Sequence, residues 1–222
     1  MRAVLWDMDG TLVDTEPYWI ETEYELVSEH GGTWSQEHAL NLVGNDLLVS
    51  GAYIREHGAV DLTPEQIVDR LLDGVIARVS ERVPWRPGAV ELLTALGEQG
   101  IPCALVTMSW QRFVDPVLAA LPAGAFRAVV TGDRVTAGKP HPEPYLTAAA
   151  LLGVAPEDCV AIEDSNTGAR SAVAAGCTVL VVPNHVPVLE GARRVFADTL
   201  EGVGPADLAA MLSDPARTAA GY

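Results

Sequence analysis

Apolar residues occur along the chain in short continuous runs, and several of these runs follow a helical stretch that ends on glycine. ELLTALGEQG precedes IPCALVT, YLTAAALLG precedes CVAIED across a short VAPED linker, and ARSAVAAG precedes CTVLVVP. Continuous apolar runs predict strands that are buried on both faces, as in a parallel sheet covered by helices. A glycine after each helix is typical of helix ends. The pattern predicts an α/β fold, a Rossmann-like open parallel sheet flanked by helices.

A helical segment interrupts this pattern after the first apolar run. Residues 15–82 show helical periodicity and no convincing strand, and Thr63 begins a TPEQ capping box with proline at the first helical position. The pattern predicts an inserted α-helical cap domain at residues 15–82. The α/β core is then made of residues 1–14 and 83–222, and Pro87 is expected to open its next helix.

Composition limits the kinds of partner. The 222 residues carry a formal net charge of −16, which argues against nucleic acid and anionic membrane surfaces, because both require basic patches. Too few residues precede Asp7 for a signal peptide, and no apolar stretch is long enough to span a bilayer. Cys103, Cys159 and Cys177 lie in or beside apolar runs, as core thiols of a reducing compartment do. We expect a cytoplasmic protein that is a monomer or a weak dimer.

Acidic residues end two of the predicted strands. Asp7 and Asp9 follow the run VLW, and Glu163 and Asp164 end the run CVAIED. Ligands of open parallel sheets bind beyond the carboxyl ends of the strands, where both pairs are expected. Like carboxylates repel unless a cation or a shared proton is present, and an oxygen-rich site favours Mg²⁺. Each acid alone could be a helix cap or turn residue, but this alternative leaves unexplained why both pairs end apolar strands.

Two further positions suggest binding of phosphate. Lys139, in TAGKPHPEPY, is the single lysine among 14 basic residues, and an ammonium is a compact point charge that suits a phosphate oxygen. Thr107 ends the run CALVT before a predicted helix, where a hydroxyl and free N–H groups can hold a phosphate. The alternatives are chance for the lysine and an ordinary helix N-cap for the threonine.

Taken in chain order, these elements resemble the motifs of the haloacid dehalogenase superfamily, subclass I with a helical cap. The matching residues are Asp7-Met8-Asp9-Gly10-Thr11, Thr107, Lys139, and Glu163-Asp164-Ser165 with Gly168. The resemblance implies Mg²⁺-dependent phosphoryl transfer through an aspartyl-phosphate.

The resemblance also implies the role of each residue. Asp7 would be the nucleophile, and Asp9 would exchange the proton with the leaving oxygen and with water. Thr107 and Lys139 would bind the phosphoryl oxygens. The Asp7 and Asp164 carboxylates and the Asp9 backbone carbonyl would hold the metal, with Glu163 acting through a bound water.

Departures from related enzymes favour a phosphatase that acts on a small phosphorylated metabolite, such as a sugar phosphate or phosphoglycolate. Asp9 argues against a dehalogenase, which lacks the second aspartate, and a single lysine in the core argues against a phosphonoacetaldehyde hydrolase. β-Phosphoglucomutase is closer, but here Gly44 is followed by Asn45 and Asp46 instead of arginine. Residues 15–82 contain 13 acidic residues and four arginines, which disfavours a second phosphate.

Two alternatives stay open, a phosphosugar mutase of the β-phosphoglucomutase type and a non-catalytic module that binds a phosphorylated ligand. Such modules usually lose a nucleophile or a metal ligand, and neither is lost here. Within the predicted cap, Trp19 either faces the substrate together with residues 41–48 or packs between helices. We interpret His141 as part of the start of a helix and not as a catalytic residue.

Overall fold

The computed structural model describes residues 1–42 and 46–213, which form six strands and nine α-helices. The strands are β1 (Ala3–Trp6), β2 (Cys103–Val106), β3 (Ala128–Val130), β4 (Cys159–Glu163), β5 (Thr178–Val181) and β6 (Arg194–Phe196). The helices are α1 (Glu16–Glu29), α2 (Gln36–Leu40), α3 (Leu47–His57), α4 (Pro64–Glu81), α5 (Ala89–Glu98), α6 (Gln111–Ala119), α7 (Glu143–Leu152), α8 (Asn166–Ala175) and α9 (Pro205–Leu212).

The strands form one parallel sheet in the order β3-β2-β1-β4-β5-β6. Helices α7 and α8 contact each other and the sheet, and α5 and α9 form a second such pair. This arrangement confirms the predicted Rossmann-like open sheet flanked by helices. The winding direction reverses between β1 and β4, so the carboxyl ends of these two strands mark the switch point at which doubly wound sheets bind ligands.

The described chain divides into two compact units. Residues 1–14, 85–111 and 121–213 form the first, which contains the sheet, and residues 15–84 and 112–120 form the second. The helical cap predicted at residues 15–82 corresponds to most of the second unit, and its function as a cap stays a prediction. The prediction placed the helix after β2 in the core, whereas most of α6 groups with the second unit.

The contacts of Arg112 are one reason for this grouping. Its guanidinium binds Asp69 at 3.2 Å and also binds Asp73, and both aspartates belong to α4. Trp19 of α1 packs edge-to-face against Phe113 of α6, with ring centroids 5.6 Å apart. This contact supports the packing interpretation of Trp19. Of residues 41–48, the positions 43–45, which include Gly44 and Asn45, lie outside the described residues.

Several predicted helix starts can be compared with the structure directly. The capping box is present, because Thr63 Oγ1 accepts from the Gln66 N–H at 3.3 Å and Gln66 Oε1 accepts from the Thr63 N–H at 2.9 Å. The expectation that Pro87 opens a helix was wrong. Helix α5 begins at Ala89, because Gly88 takes a φ of 78°, which is not helical.

The three cysteines are buried and unpaired, as predicted. Burial raises the pKa of the Cys103 thiol to about 12 and that of Cys159 to about 11, so these thiols are weak nucleophiles. Every helix in the described part of the chain is too short or too polar to cross a lipid bilayer.

A buried carboxyl group makes the stability of the second unit depend on pH. Glu23 of α1 is 4% exposed and accepts a 3.0 Å hydrogen bond from Trp34 Nε1. Burial, with a smaller contribution from Glu16, raises its pKa from 4.5 to about 8. The folded state therefore keeps this proton between pH 4.5 and 8, whereas the unfolded state releases it. The contribution of Glu23 to the free energy of unfolding is fully present below pH 4.5 and is lost as the pH rises through 8.

We predict that Glu23→Gln removes this loss, because glutamine stays neutral and can still accept the Trp34 hydrogen bond. The variant and the wild type should unfold at similar urea concentrations at pH 5. At pH 8 the variant should be more stable by about 4 kcal/mol, given about 1.4 kcal/mol for each pH unit between pH 5 and the folded-state pKa of about 8. Glu29→Gln, an exposed change on the same helix, is the control. An equal gain at both pH values would contradict the assignment to ionisation of Glu23.

Candidate active site

Strand alternation directs two acids from neighbouring strands to the same side of the sheet. One core layer packs alternate residues of β1 and β4 against α7 and α8, namely Ala3, Leu5, Cys159, Ala161, Tyr145, Ala148, Ala169 and Ala172. Asp7 and Glu163 are the next members of the two strand series. The Asp7 N–H still donates to the Ile162 carbonyl at 3.0 Å, so the ladder continues to this point. Because side chains two residues apart share a face, both carboxylates point to the side on which α7 lies.

Lys139 joins these two acids. Its Nζ donates to Asp7 Oδ1 and to Glu163 Oε1, each at 2.6 Å. The side chains are nearly inaccessible, at 5% exposed for Lys139, 10% for Asp7 and 0% for Glu163. Burial opposes the charge on the lysine, but the two carboxylates outweigh this effect and raise its pKa above the ordinary value. A permanently charged ammonium therefore lies beside the predicted nucleophile.

The loop that carries Lys139 is held by its own hydrogen bonds. Glu143 accepts from the N–H groups of Thr136 at 2.7 Å and Ala137 at 2.9 Å, which closes the loop at the start of α7. Ser171 Oγ donates to the His141 carbonyl at 2.6 Å. The ring Nδ1 of His141 lies 3.2 Å from the Glu143 N–H, as expected for a residue at the start of a helix. These contacts fix the backbone from which the lysine extends.

Asp164 completes an acidic cluster with Asp7 and Glu163. Carboxylate oxygens of the three residues lie within 4.8 Å of one another. Burial first, and then the neighbouring Glu163 carboxylate, raise the pKa of Asp7 to about 7. Burial and the charge of Asp7 raise the pKa of Asp164 to about 9. Burial is the larger cause of both pKa shifts, and repulsion between the neighbouring carboxylates adds to it. A set of three oxygen donors with excess negative charge fits a hard metal cation.

Gly10 allows the first acidic motif to approach the second. Its φ is 84°, and a Cβ at this position would overlap the Asp164 carboxylate. The backbone turns here, since the Gly10 N–H donates to the Val13 carbonyl at 2.7 Å. Gly168 has a similar function at the other motif, where a Cβ would overlap the Glu163 carboxylate. Both glycines of the predicted motifs are therefore required by close packing against the acids.

Asp9 points to a different set of partners. Its Oδ2 accepts from Ser109 Oγ at 2.7 Å and from Thr107 Oγ1 at 3.3 Å. Thr107 Oγ1 itself accepts from the Ser109 N–H at 3.0 Å. The loop after β2 thus orients the second aspartate through two hydroxyl groups. The predicted roles of Thr107 in phosphate binding and of the Asp9 carbonyl in metal binding stay predictions.

The structure brings together all six predicted site residues around the ends of β1, β2 and β4. Glu163 was expected to act through a bound water, and it contacts Lys139 directly. Two neighbouring residues were not predicted as site residues. Ser109 could have been predicted from the sequence, because it lies two residues after Thr107. The hydroxyl of Tyr145 donates to Glu163 Oε1 at 2.6 Å. The sequence did not indicate this contact, because an aromatic residue at helical spacing is usually part of the core.

Comparison with known proteins places this chain among related proteins. The family described as haloacid dehalogenase-like hydrolase matches residues 4–182. Hexitol phosphatase B of Escherichia coli (strain K12) is 33% identical over 187 residues, covering 82% of this chain and 83% of that protein. Phosphoglycolate phosphatase of the same strain is 32% identical over 199 residues, covering 80% and 79%.

Solved structures give the same result. The crystal structure of CbbY from Rhodobacter sphaeroides in complex with phosphate superposes with a TM-score of 0.84 at 29% identity, covering 94% of this chain and 99% of CbbY. A mutant of CbbY in complex with xylulose-(1,5)bisphosphate gives a TM-score of 0.82 at 28% identity, with the same coverage. The match extends from the first acidic motif through the second, and the chain therefore belongs to the haloacid dehalogenase-like hydrolase family.

Proposed function

We propose that this protein is a Mg²⁺-dependent phosphatase that hydrolyses a small-molecule phosphomonoester through an aspartyl-phosphate on Asp7. The observation that carries the proposal is the pairing of the Asp7 carboxylate with a buried ammonium at 2.6 Å, beside Asp164, at the switch point of the sheet. The proposed nucleophile Asp7 thus lies beside the positive charge of Lys139 and beside Asp164, which could bind a cation. The relationship to hexitol and phosphoglycolate phosphatases supports the same chemistry.

In the first step an oxygen of Asp7 attacks phosphorus, and the bond from phosphorus to the ester oxygen breaks. Lys139 stabilises the charge on the phosphoryl oxygens, together with the hydroxyl of Thr107. Asp9 donates its proton to the leaving oxygen. In the second step Asp9 accepts a proton from water as the water attacks phosphorus, and the bond from phosphorus to Asp7 breaks to release phosphate.

Asp7, Asp164 and the Asp9 backbone carbonyl would hold the Mg²⁺. When bound, the ion lets an anionic carboxylate approach an anionic ester by neutralising charge. The carboxylates of this chain suit it, since oxygens of Asp7, Glu163 and Asp164 lie within 4.8 Å of one another. Burial, with repulsion from the neighbouring carboxylates, raises the pKa of Asp7 to about 7 and that of Asp164 to about 9. Bound metal would lower both values and keep Asp7 ionised for attack.

The charges of the second unit favour a substrate with one phosphate. Among its described arginines, Arg78 binds Glu21 at 3.2 Å and Glu25 at 2.6 Å, and Arg112 is paired with two aspartates of α4. Residues 15–82 contain 13 acidic residues and four arginines. In the proposed cap, this excess of acidic residues would disfavour a second phosphate. We favour monophosphates of polyols, sugars or small hydroxy acids over sugar bisphosphates.

A panel of phosphorylated metabolites tests the proposal. With Mg²⁺ the protein should release phosphate from p-nitrophenyl phosphate and from at least one hexitol phosphate, sugar phosphate or phosphoglycolate. EDTA should abolish the release and added Mg²⁺ should restore it. For a sugar bisphosphate, kcat/KM should be at least about tenfold lower than for the matching monophosphate, because of like-charge repulsion. No turnover of any ester would overturn the proposal in favour of a binding module.

The mutase alternative predicts a different product from the same panel. A phosphosugar mutase would convert a sugar 1-phosphate to its 6-phosphate without net release of phosphate, and the reaction would depend on a bisphosphate activator. Product analysis by ³¹P NMR, with and without a sugar bisphosphate, distinguishes the two. Stoichiometric release of phosphate without an activator supports the phosphatase.

A further inference from the structure

The carboxylate of Glu163 is surrounded by hydrogen-bond donors. Oε1 accepts from Lys139 Nζ and from the Tyr145 hydroxyl, each at 2.6 Å. Oε2 accepts from Ser165 Oγ at 3.2 Å, and Gly168 packs so closely that a Cβ there would overlap the carboxylate. The side chain is 0% exposed. A buried anion with donors on both oxygens is held in one orientation.

Tyr145 supplies the neutral donor to Glu163 Oε1. It lies in the first turns of α7 and is 0% exposed. Its ring lies 5.2 Å from Lys139 Nζ, and its hydroxyl reaches past the lysine to Glu163. Burial and the nearby carboxylates raise its pKa well above 10, so the hydroxyl keeps its proton. The tyrosine therefore contacts both the ammonium and the carboxylate that holds it.

The Lys139 ammonium is shared between two carboxylates, because it donates hydrogen bonds to both Asp7 and Glu163. The Tyr145 hydroxyl is a second donor to Glu163, so this carboxylate does not depend on the ammonium alone. Without the hydroxyl, the buried carboxylate would have only the ammonium on Oε1 and would bind it more tightly. Lys139 would then be drawn away from Asp7 and from the phosphoryl oxygens that Asp7 attacks.

We infer that Tyr145 is a positioning residue for Lys139, which it controls through Glu163. The inference rests on the proposed function, since it takes Lys139 to be the residue that binds the phosphoryl group. Packing alone does not account for the tyrosine, because phenylalanine would fill the same space between α7 and the sheet. The hydroxyl is the part that reaches the site.

Tyr145→Phe isolates this hydroxyl, because it keeps the ring near the ammonium. We expect kcat for p-nitrophenyl phosphate to fall about tenfold, as for loss of a hydrogen bond to a charged group. The affinity for orthovanadate, measured by calorimetry with Mg²⁺, should fall by a similar factor. Tyr18→Phe is the control, since it removes a hydroxyl that donates to the Arg82 carbonyl at 3.2 Å in the second unit. The control should keep both values.

A double-mutant cycle with Lys139→Met shows whether the effect passes through the lysine. If it does, adding Tyr145→Phe to Lys139→Met changes the affinity for orthovanadate less than twofold. The same tenfold loss in both backgrounds would overturn the inference, as would an unchanged Tyr145→Phe enzyme. A second cycle with Glu163→Gln, which removes the charge to which the hydroxyl donates, should also cancel the effect.

These results separate the inference from the proposed function. A wild type that hydrolyses no phosphomonoester removes the proposed function and, with it, the premise of the inference. A wild-type phosphatase that is impaired by Lys139→Met but indifferent to Tyr145→Phe leaves the function intact and refutes only the role of Tyr145.

Discussion

Asp7→Asn should abolish turnover, lowering kcat by at least about 10⁴-fold, because an amide cannot form the covalent intermediate that splits the reaction into two steps. The change is nearly isosteric, and the asparagine oxygen can still accept from Lys139, which donates to Asp7 Oδ1 at 2.6 Å. Release of p-nitrophenolate with Mg²⁺ measures the loss. Mass spectrometry of acid-quenched protein should detect a phosphoryl group on the wild type and none on the variant.

The fold of this variant should survive and gain stability in EDTA. Burial and Glu163 raise the pKa of Asp7 to about 7, so at pH 8 the metal-free wild type has a buried charge that asparagine lacks. Asp198→Asn, an exposed change in the same unit, is the control and should keep full activity. A folded Asp7→Asn enzyme that retains a tenth or more of the wild-type rate, on the order of a 1.4 kcal/mol loss, would exclude Asp7 as the nucleophile.

Asp9→Asn should impair hydrolysis according to the leaving group. Asparagine can accept the hydrogen bonds that Ser109 and Thr107 donate to Asp9 Oδ2, so the side chain keeps its orientation. It cannot donate the proton that an alkoxide needs, and turnover of an alkyl phosphate should fall by about 10² to 10⁴, the usual contribution of a general acid. Nitrophenolate leaves without a proton, so an initial burst of its release should persist.

Rapid-quench measurements distinguish this role from a structural one. With p-nitrophenyl phosphate the Asp9→Asn protein should accumulate phosphoenzyme, because the water that hydrolyses the intermediate lacks its base. With a hexitol phosphate it should form little phosphoenzyme. Equal slowing of both esters in the first step would contradict the role of Asp9 as proton donor.

The edge of the sheet at which the acids lie was predictable from local patterns. Asp7 and Asp164 follow apolar runs, and buried parallel strands are recognisable by such runs because both of their faces are covered. Glycines 153 and 176 end α7 and α8, as the pattern predicted. Lys139 was conspicuous as the single lysine of the chain.

The partners of these residues were not predictable in the same way. Lys139 was expected to bind phosphate, but its shared contact with Asp7 and Glu163 depends on a loop 132 residues away from Asp7 in sequence. Tyr145 has the spacing of a core aromatic residue, and only the packing of α7 on the sheet brings its hydroxyl to Glu163. The grouping of α6 with the second unit likewise depends on long-range contacts, among them the ion pairs of Arg112 with α4 and the packing of Phe113 against Trp19.

The amino-acid sequence by itself determined that buried strands alternate with helices, which strands end in acids, and the family motifs that these acids form. Strand order was decided by the tertiary structure, because an apolar run has the same periodicity wherever its strand lies in the sheet. The crossover after β3 places β4 beside β1, so Asp164 and Glu163 meet Asp7 at the switch point. Long-range packing thereby converts two separate acidic motifs into one charged site with a shared lysine.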